Sequence, residues 1–167
     1  MTRLALTVPA LLTAAALALV GCGFTPLYAT PGINSDLAAV SVVAPQGRSG
    51  FLLRQSLDDA FGHNPALAPA YRLTMTYDET KIPRGVRVDN VANRYELVLT
   101  VNYTLTTATG APARQGRVRS SVTYDSADQP DASIAAEQDG QERAAAEAAR
   151  QIQLELAVWM ANRRSPA

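Results

Sequence analysis

Three places in the chain carry side chains of the kinds that do chemistry. Cys22 is the only cysteine and His63 the only histidine among 167 residues, and Asp58-Asp59 is an adjacent carboxylate pair. None of them forms a catalytic constellation. His63 lies in the Pro-containing stretch HNPALAP, which reads as a surface loop. Neighbouring residues on a helix do not face each other, so a solvated helix face accounts for Asp58 and Asp59 better than shared acid–base work. No Gly-x-Ser-x-Gly elbow, phosphate-binding glycine loop or metal-ligand spacing occurs. A single cysteine excludes an intramolecular disulfide and a cysteine-rich metal site. These residues give no support to an enzyme and call for no cofactor and no metal.

Cys22 has a different setting. Met1-Thr2-Arg3 is a short basic start, Leu4 to Val20 carry no charge, and Leu19-Val20-Gly21 closes the run with small residues before Cys22. A basic start, an apolar centre and a small-residue cleavage site make a secretory signal peptide. With cysteine next, the stretch resembles a bacterial lipobox. That resemblance implies cleavage before Cys22 and acylation of its sulfur and amino group, a membrane anchor in which two or more chains hold stably where one is marginal. Two other readings stand beside it: an uncleaved span at the short end of the range for membrane helices, and an ordinary buried thiol after cleavage elsewhere. Pro9 and the weak hydrophobicity of the alanine run argue against the span. By the same resemblance, Gly23 in place of Asp points to the outer membrane.

Charge limits the partners. Fifteen basic side chains, all Arg except Lys81, balance fifteen acidic ones. Nucleic-acid binders usually show a clear basic excess, so none is expected here. Loss of Arg3 with the signal peptide leaves 14 basic against 15 acidic residues. Residues 72–119 hold eight basic and four acidic side chains, and residues 120–167 hold eight acidic and four basic. Mutually complementary solvated faces are the ordinary explanation of such a split.

The elements follow from periodicity. Residues 1–21 are the signal peptide and 22–36 a Pro- and Gly-containing tether. A single domain over 37–167 is long enough to bury a core. LAAVSVVA, residues 37–44, predicts a buried strand. Ser49 is positioned to cap a helix over about 50–62, with Leu53, Leu57 and Phe61 at helical spacing. YRLTMTYD, RYELVLTVNYTLT and RVRSSVTY alternate as half-buried strands; in the second, Tyr95, Leu97, Leu99, Val101, Tyr103 and Leu105 share one face. A long helix is predicted over about 134–162, with Gly140 as its weak point. The order β-α-β-β-β-α, with one apolar face per strand, predicts an α+β two-layer sandwich: a four-stranded mixed sheet with two helices on one face.

GCGFTPLY at 21–28, NRYELVLTVNYTL at 93–105 and YDSADQPDASIAAEQDGQERAAAEAARQI at 124–152 together resemble the lipopolysaccharide-assembly lipoprotein family LptE, in its alphaproteobacterial form. The resemblance implies a lipid-anchored protein on the periplasmic face of the outer membrane. It implies a role as partner and plug of the β-barrel LptD and as a binder of lipopolysaccharide, without a chemical reaction. Lipid A carries phosphates, which guanidinium groups recognise through paired hydrogen bonds. Lys81, Arg84 and Arg87, in KIPRGVRVDN between two predicted strands, are therefore the candidate ligand residues, with Arg114, Arg117 and Arg119 next in line. Pairing of the first three with Asp78, Glu79 and Asp89 is the plainer alternative. A transport-auxiliary lipoprotein of an envelope lipid-export system is the rival reading, followed by a purely structural tether.

Overall fold

The computed structural model describes residues 32–86, 92–127 and 129–164. Its elements in chain order are α1 (Ile33–Ala38), β1 (Val40–Val43), α2 (Arg48–Phe61), β2 (Tyr71–Val86), β3 (Ala92–Thr107), β4 (Pro112–Asp125) and α3 (Pro130–Arg164). The sheet order is β1-β2-β3-β4, with β1 parallel to β2 and the other pairs antiparallel. This is the expected mixed sheet, with the helices on one face and a short helix added in front.

Alternation along β3 sets which face meets the helices. Leu97, Leu99, Val101, Tyr103 and Leu105 are each at most 2% exposed. They lie in register with Leu73, Met75 and Tyr77 of β2 and with Val118, Ser120 and Val122 of β4. α2 covers this layer with Leu53, Leu57 and Phe61, spaced one helical turn apart. Gly62, at φ 61°, ends the helix in the left-handed conformation that glycine adopts without strain. α3 contributes a stripe of Ala144, Ala145, Ala148 and Ala149, then Ile152, Leu156 and Met160. Small side chains let this helix lie close to the sheet.

Four local expectations differ from the structure, each for a physical reason. The predicted strand at 37–44 is shorter, because Ile33 and Leu37 bury one face of α1 before β1 begins at Val40. Ser49 does not cap α2: Gly47 holds that position, while Ser49 is buried in the first turn and donates its hydroxyl to Glu79. α3 starts at Pro130, where a proline's missing N–H costs nothing. Finally, KIPRG is strand, not loop. The β2–β3 ladder continues through Lys81↔Leu97 and Pro83↔Tyr95, with irregularities after Pro83. β1 pairs only with Tyr71–Thr74, so Pro83 sits on an edge, where a strand tolerates a residue that cannot donate.

Candidate functional site

The helices leave one side of the sheet open. Thr74, Thr76, Asp78 and Thr80 of β2, Glu96, Thr100, Asn102 and Thr104 of β3, and Arg117, Arg119 and Ser121 of β4 alternate away from the buried positions. Threonines stiffen this surface from both sides of the ladder. Thr74 Oγ1 donates to the Thr104 carbonyl and Thr106 Oγ1 to the Arg72 carbonyl, both at 3.3 Å. A shallow depression runs between Thr74, Thr76, Asn102 and Thr104. It is lined by hydroxyls and an amide, groups that exchange hydrogen bonds with water or with another polar surface.

Charge on this face is organised around Glu96. Its carboxylate accepts from Arg84 Nε at 2.6 Å and from the Ser121 hydroxyl. The Ser121 hydrogen bond first, and then Arg84, hold Glu96 below the usual carboxylate range. Arg94 donates to Asp125 at 2.7 Å, which lowers the Asp125 acid and raises the Arg94 guanidinium. Arg117 and Arg119 stand two residues apart on the same face of β4, both exposed, and neither forms an ion pair among the described residues.

The expected ligand residues are thus separated. Arg84 reaches to the open side. Lys81 turns to the helix side, where its Nζ is 2.8 Å from Glu137 and 5.2 Å from the centre of the Tyr95 ring. Tyr95 in turn stacks on Tyr124 at 5.7 Å. The hydrogen bond that Lys81 donates to Glu137 raises the Lys81 ammonium pKa, so this side chain ties α3 to the sheet. Asp78 and Glu79 are not the partners of Lys81 and Arg84: Glu79 is instead held by Ser49 and by Gln141 at 2.9 Å. Arg87, Asp89 and Cys22 lie outside the described residues. Arg114 is on the helix side near Tyr103, leaving Arg117 and Arg119 as the arginines that β4 presents to the open face. Their alternation with Val118 and Ser120 was the sequence signal for it.

Among the described residues no three His, Cys, Asp or Glu side chains gather as a metal site would need. No described helix is long and apolar enough to cross a membrane.

Comparison with known proteins completes the description. The family model LptE, lipopolysaccharide-assembly, matches residues 37–156. No curated protein sequence matches significantly. Among solved structures, a candidate lipoprotein of Caulobacter crescentus CB15 is 55% identical, with a TM-score of 0.71 over 81% of this chain and 99% of its own. Lipoprotein B of Nitrosomonas europaea is 17% identical, with a TM-score of 0.55 over 73% of this chain and 83% of its own. Rare lipoprotein B of Shewanella oneidensis is 15% identical, with a TM-score of 0.54 over 75% of this chain and 97% of its own. The last two share the fold.

Proposed function

The chain belongs to the LptE family of lipopolysaccharide-assembly lipoproteins, and from that premise we propose that it plugs an outer-membrane β-barrel of the LptD type and binds lipopolysaccharide there. Acylated Cys22 anchors it to the periplasmic side of the outer membrane. The observation that carries this reading is the open face of the sheet. A barrel lumen is polar, and a plug for it needs a rigid surface of hydroxyls, amides and paired charges. The face formed by Thr74, Thr76, Thr100, Asn102 and Thr104 has that chemistry. Threonine and asparagine hydrogen-bond to many partners without requiring a buried charge to find its opposite.

Lipopolysaccharide binding falls to Arg84, Arg117 and Arg119, which reach this side, and to Arg87, which follows Arg84 three positions on in the sequence. Guanidinium groups donate two parallel hydrogen bonds to phosphate in a bidentate fork. Lys81, committed to Glu137, contributes by fixing α3 against β2, the strand that carries Arg84. No step of this function breaks or makes a covalent bond.

Purification of the full mature protein from its own membranes in mild detergent tests the reading. A large β-barrel recovered in one-to-one amount is expected. Recovery of an inner-membrane lipid exporter instead would favour a transport-auxiliary role, and recovery of neither would leave a tether.

A further inference from the structure

Ser41 of β1, Arg72 of β2 and Thr106 of β3 stand in one row across three strands, at the end of the open face where β1 begins. Beside them the β3–β4 turn closes on itself. The Gly110 amide donates to the Thr107 carbonyl at 2.9 Å, and the Thr107 and Thr109 hydroxyls meet at 2.8 Å. Between the row and the turn lies a depression of about 430 Å³ whose lining includes Ser41, Arg72, Thr106 and Thr109 and no acidic residue. We infer that this depression is a binding site for a sugar phosphate, and that it receives a phosphorylated sugar of lipopolysaccharide before the arginines farther along the face do. The inference rests on the proposed lipopolysaccharide binding and on the lipid at Cys22.

Chemistry supplies the first support. Arg72 is exposed, and its side chain has no partner among the described residues. Arg84 and Arg94, by contrast, are held by Glu96 and Asp125. The next carboxylate along β2, Asp78, is six residues on, roughly 20 Å at the rise of a strand. The guanidinium therefore keeps all its donors for a ligand. A phosphate monoester has three terminal oxygens. A guanidinium fork takes two, and the Ser41 hydroxyl, also without a partner among the described residues, can donate to the third from the neighbouring strand. Thr106 already donates to the Arg72 carbonyl, so its oxygen is left as an acceptor for a sugar hydroxyl.

Position supplies the second. Arg84 is twelve residues from Arg72 along β2, roughly 40 Å. Arg117, in register with Asn102 and through it with Thr76, is four residues along and two strands across, roughly 16 Å. One phosphate cannot touch Arg72 and either of them, so this is a separate site. α1 leads directly into β1, so the chain arrives from its anchor at this end. Ten residues from Cys22 to Gly32 span at most about 36 Å. A domain that plugs a barrel on that leash keeps the Arg72 end at the periplasmic mouth and sends the Arg84 end into the lumen. Thr74 and Thr104, the next row in on the same face, can meet the wall while the Arg72 row stays at the mouth, where lipopolysaccharide coming from the periplasm arrives.

Nuclear magnetic resonance of the full mature lipoprotein in detergent micelles, observed at the arginine Nε–H groups, tests the site. The protein is titrated with glucose 1-phosphate, inorganic phosphate and glucose, and then with purified lipopolysaccharide. The Arg72 signal should move and saturate with glucose 1-phosphate, move less with inorganic phosphate at equal concentration, stay still with glucose, and move with lipopolysaccharide. Arg72→Gln should weaken glucose 1-phosphate binding, read at the Gly110 amide, by about tenfold. Ser41→Ala should weaken it less, and both variants should keep the wild-type circular dichroism spectrum. Equal movement with inorganic phosphate means an adventitious ion only and overturns the sugar-phosphate site. Movement of Arg84, Arg117 or Arg119 with lipopolysaccharide while Arg72 stays still overturns this site and leaves lipopolysaccharide binding standing. Lipopolysaccharide that moves no arginine overturns both.

Discussion

Glu96 is the residue on which most of the open face's electrostatics converges. Its carboxylate is lowered by the Ser121 hydroxyl and the Arg84 guanidinium, so the sign of its pH effect follows. A group whose folded pKa lies below its unfolded one stabilises the fold at neutral pH and loses that contribution as pH falls through the folded value. The loss therefore falls in the acid range below the ordinary value of 4.5, and it stays small because the pair is solvent-screened. Carbon-detected titration should place the Glu96 midpoint below the ordinary glutamate value, and Arg84→Gln should move it part of the way back. An unmoved midpoint would mean that Ser121 alone holds the carboxylate.

Arg117 and Arg119 carry the other prediction at this scale. Neither forms an ion pair among the described residues, and Arg119 only assists at a distance in holding Glu96 charged, so they can be exchanged for Glu together without breaking a close fold contact. Stability should shift by no more than about 1 kcal/mol. Lipopolysaccharide binding should weaken, and by more at low salt, where attraction over several ångströms is least screened. A titration at two salt concentrations, beside Arg84→Glu, checks it. Affinity unchanged in all variants would remove the open face from ligand binding.

At the scale of elements, β3 is the central support. Leu99 is 1% exposed, and Leu99→Ala should cost about 2–5 kcal/mol. Thr100→Ala, on the other face, should cost much less, and denaturant midpoints of the two variants decide between them. Gly116→Ala extends the test to β4. A methyl group there would come within 2.3 Å of the Tyr103 ring, which is 2% exposed and donates its hydroxyl to Glu155. The usual gain of replacing glycine within a strand should therefore be reversed, to a loss of about 1–3 kcal/mol from overpacking.

These elements were legible to unequal degrees. β3 could be read because residues 94–105 alternate with Val98 as the one apolar residue on the polar face, and a register so specified resists slipping. α1 was hidden, since two apolar residues four apart in a Pro- and Gly-containing stretch look like tether until a partner helix covers them. The continuation of β2 through Pro83 was hidden for a related reason: proline and glycine signal a turn, and only the short reach of β1 shows that this length of β2 is an edge where proline fits. The open face was half legible. Its polar residues stood in the alternation, but the partners Glu96 for Arg84 and Glu137 for Lys81 lie 12 and 56 positions away. Sequence proximity had pointed to Asp78 and Glu79 instead.

At the scale of the whole molecule, one sheet separates two surfaces with different tasks. Helices α2 and α3 seal the apolar side and provide the stability. The other side carries threonines, Asn102 and arginines at fixed spacing, which makes it a preformed polar surface. The family assignment places such a domain in lipopolysaccharide assembly, and the plug reading requires this open surface to touch a barrel wall. A photo-crosslinking amino acid at Asn102, exposed at the centre of that face, tests the requirement directly in living cells. Irradiation should join the protein to a large outer-membrane β-barrel, with the attachment mapping to residues that face its lumen. Asn102 adducts confined to an inner-membrane transporter, or none at all while the protein is folded and membrane-anchored, would contradict the assignment of this face to the barrel.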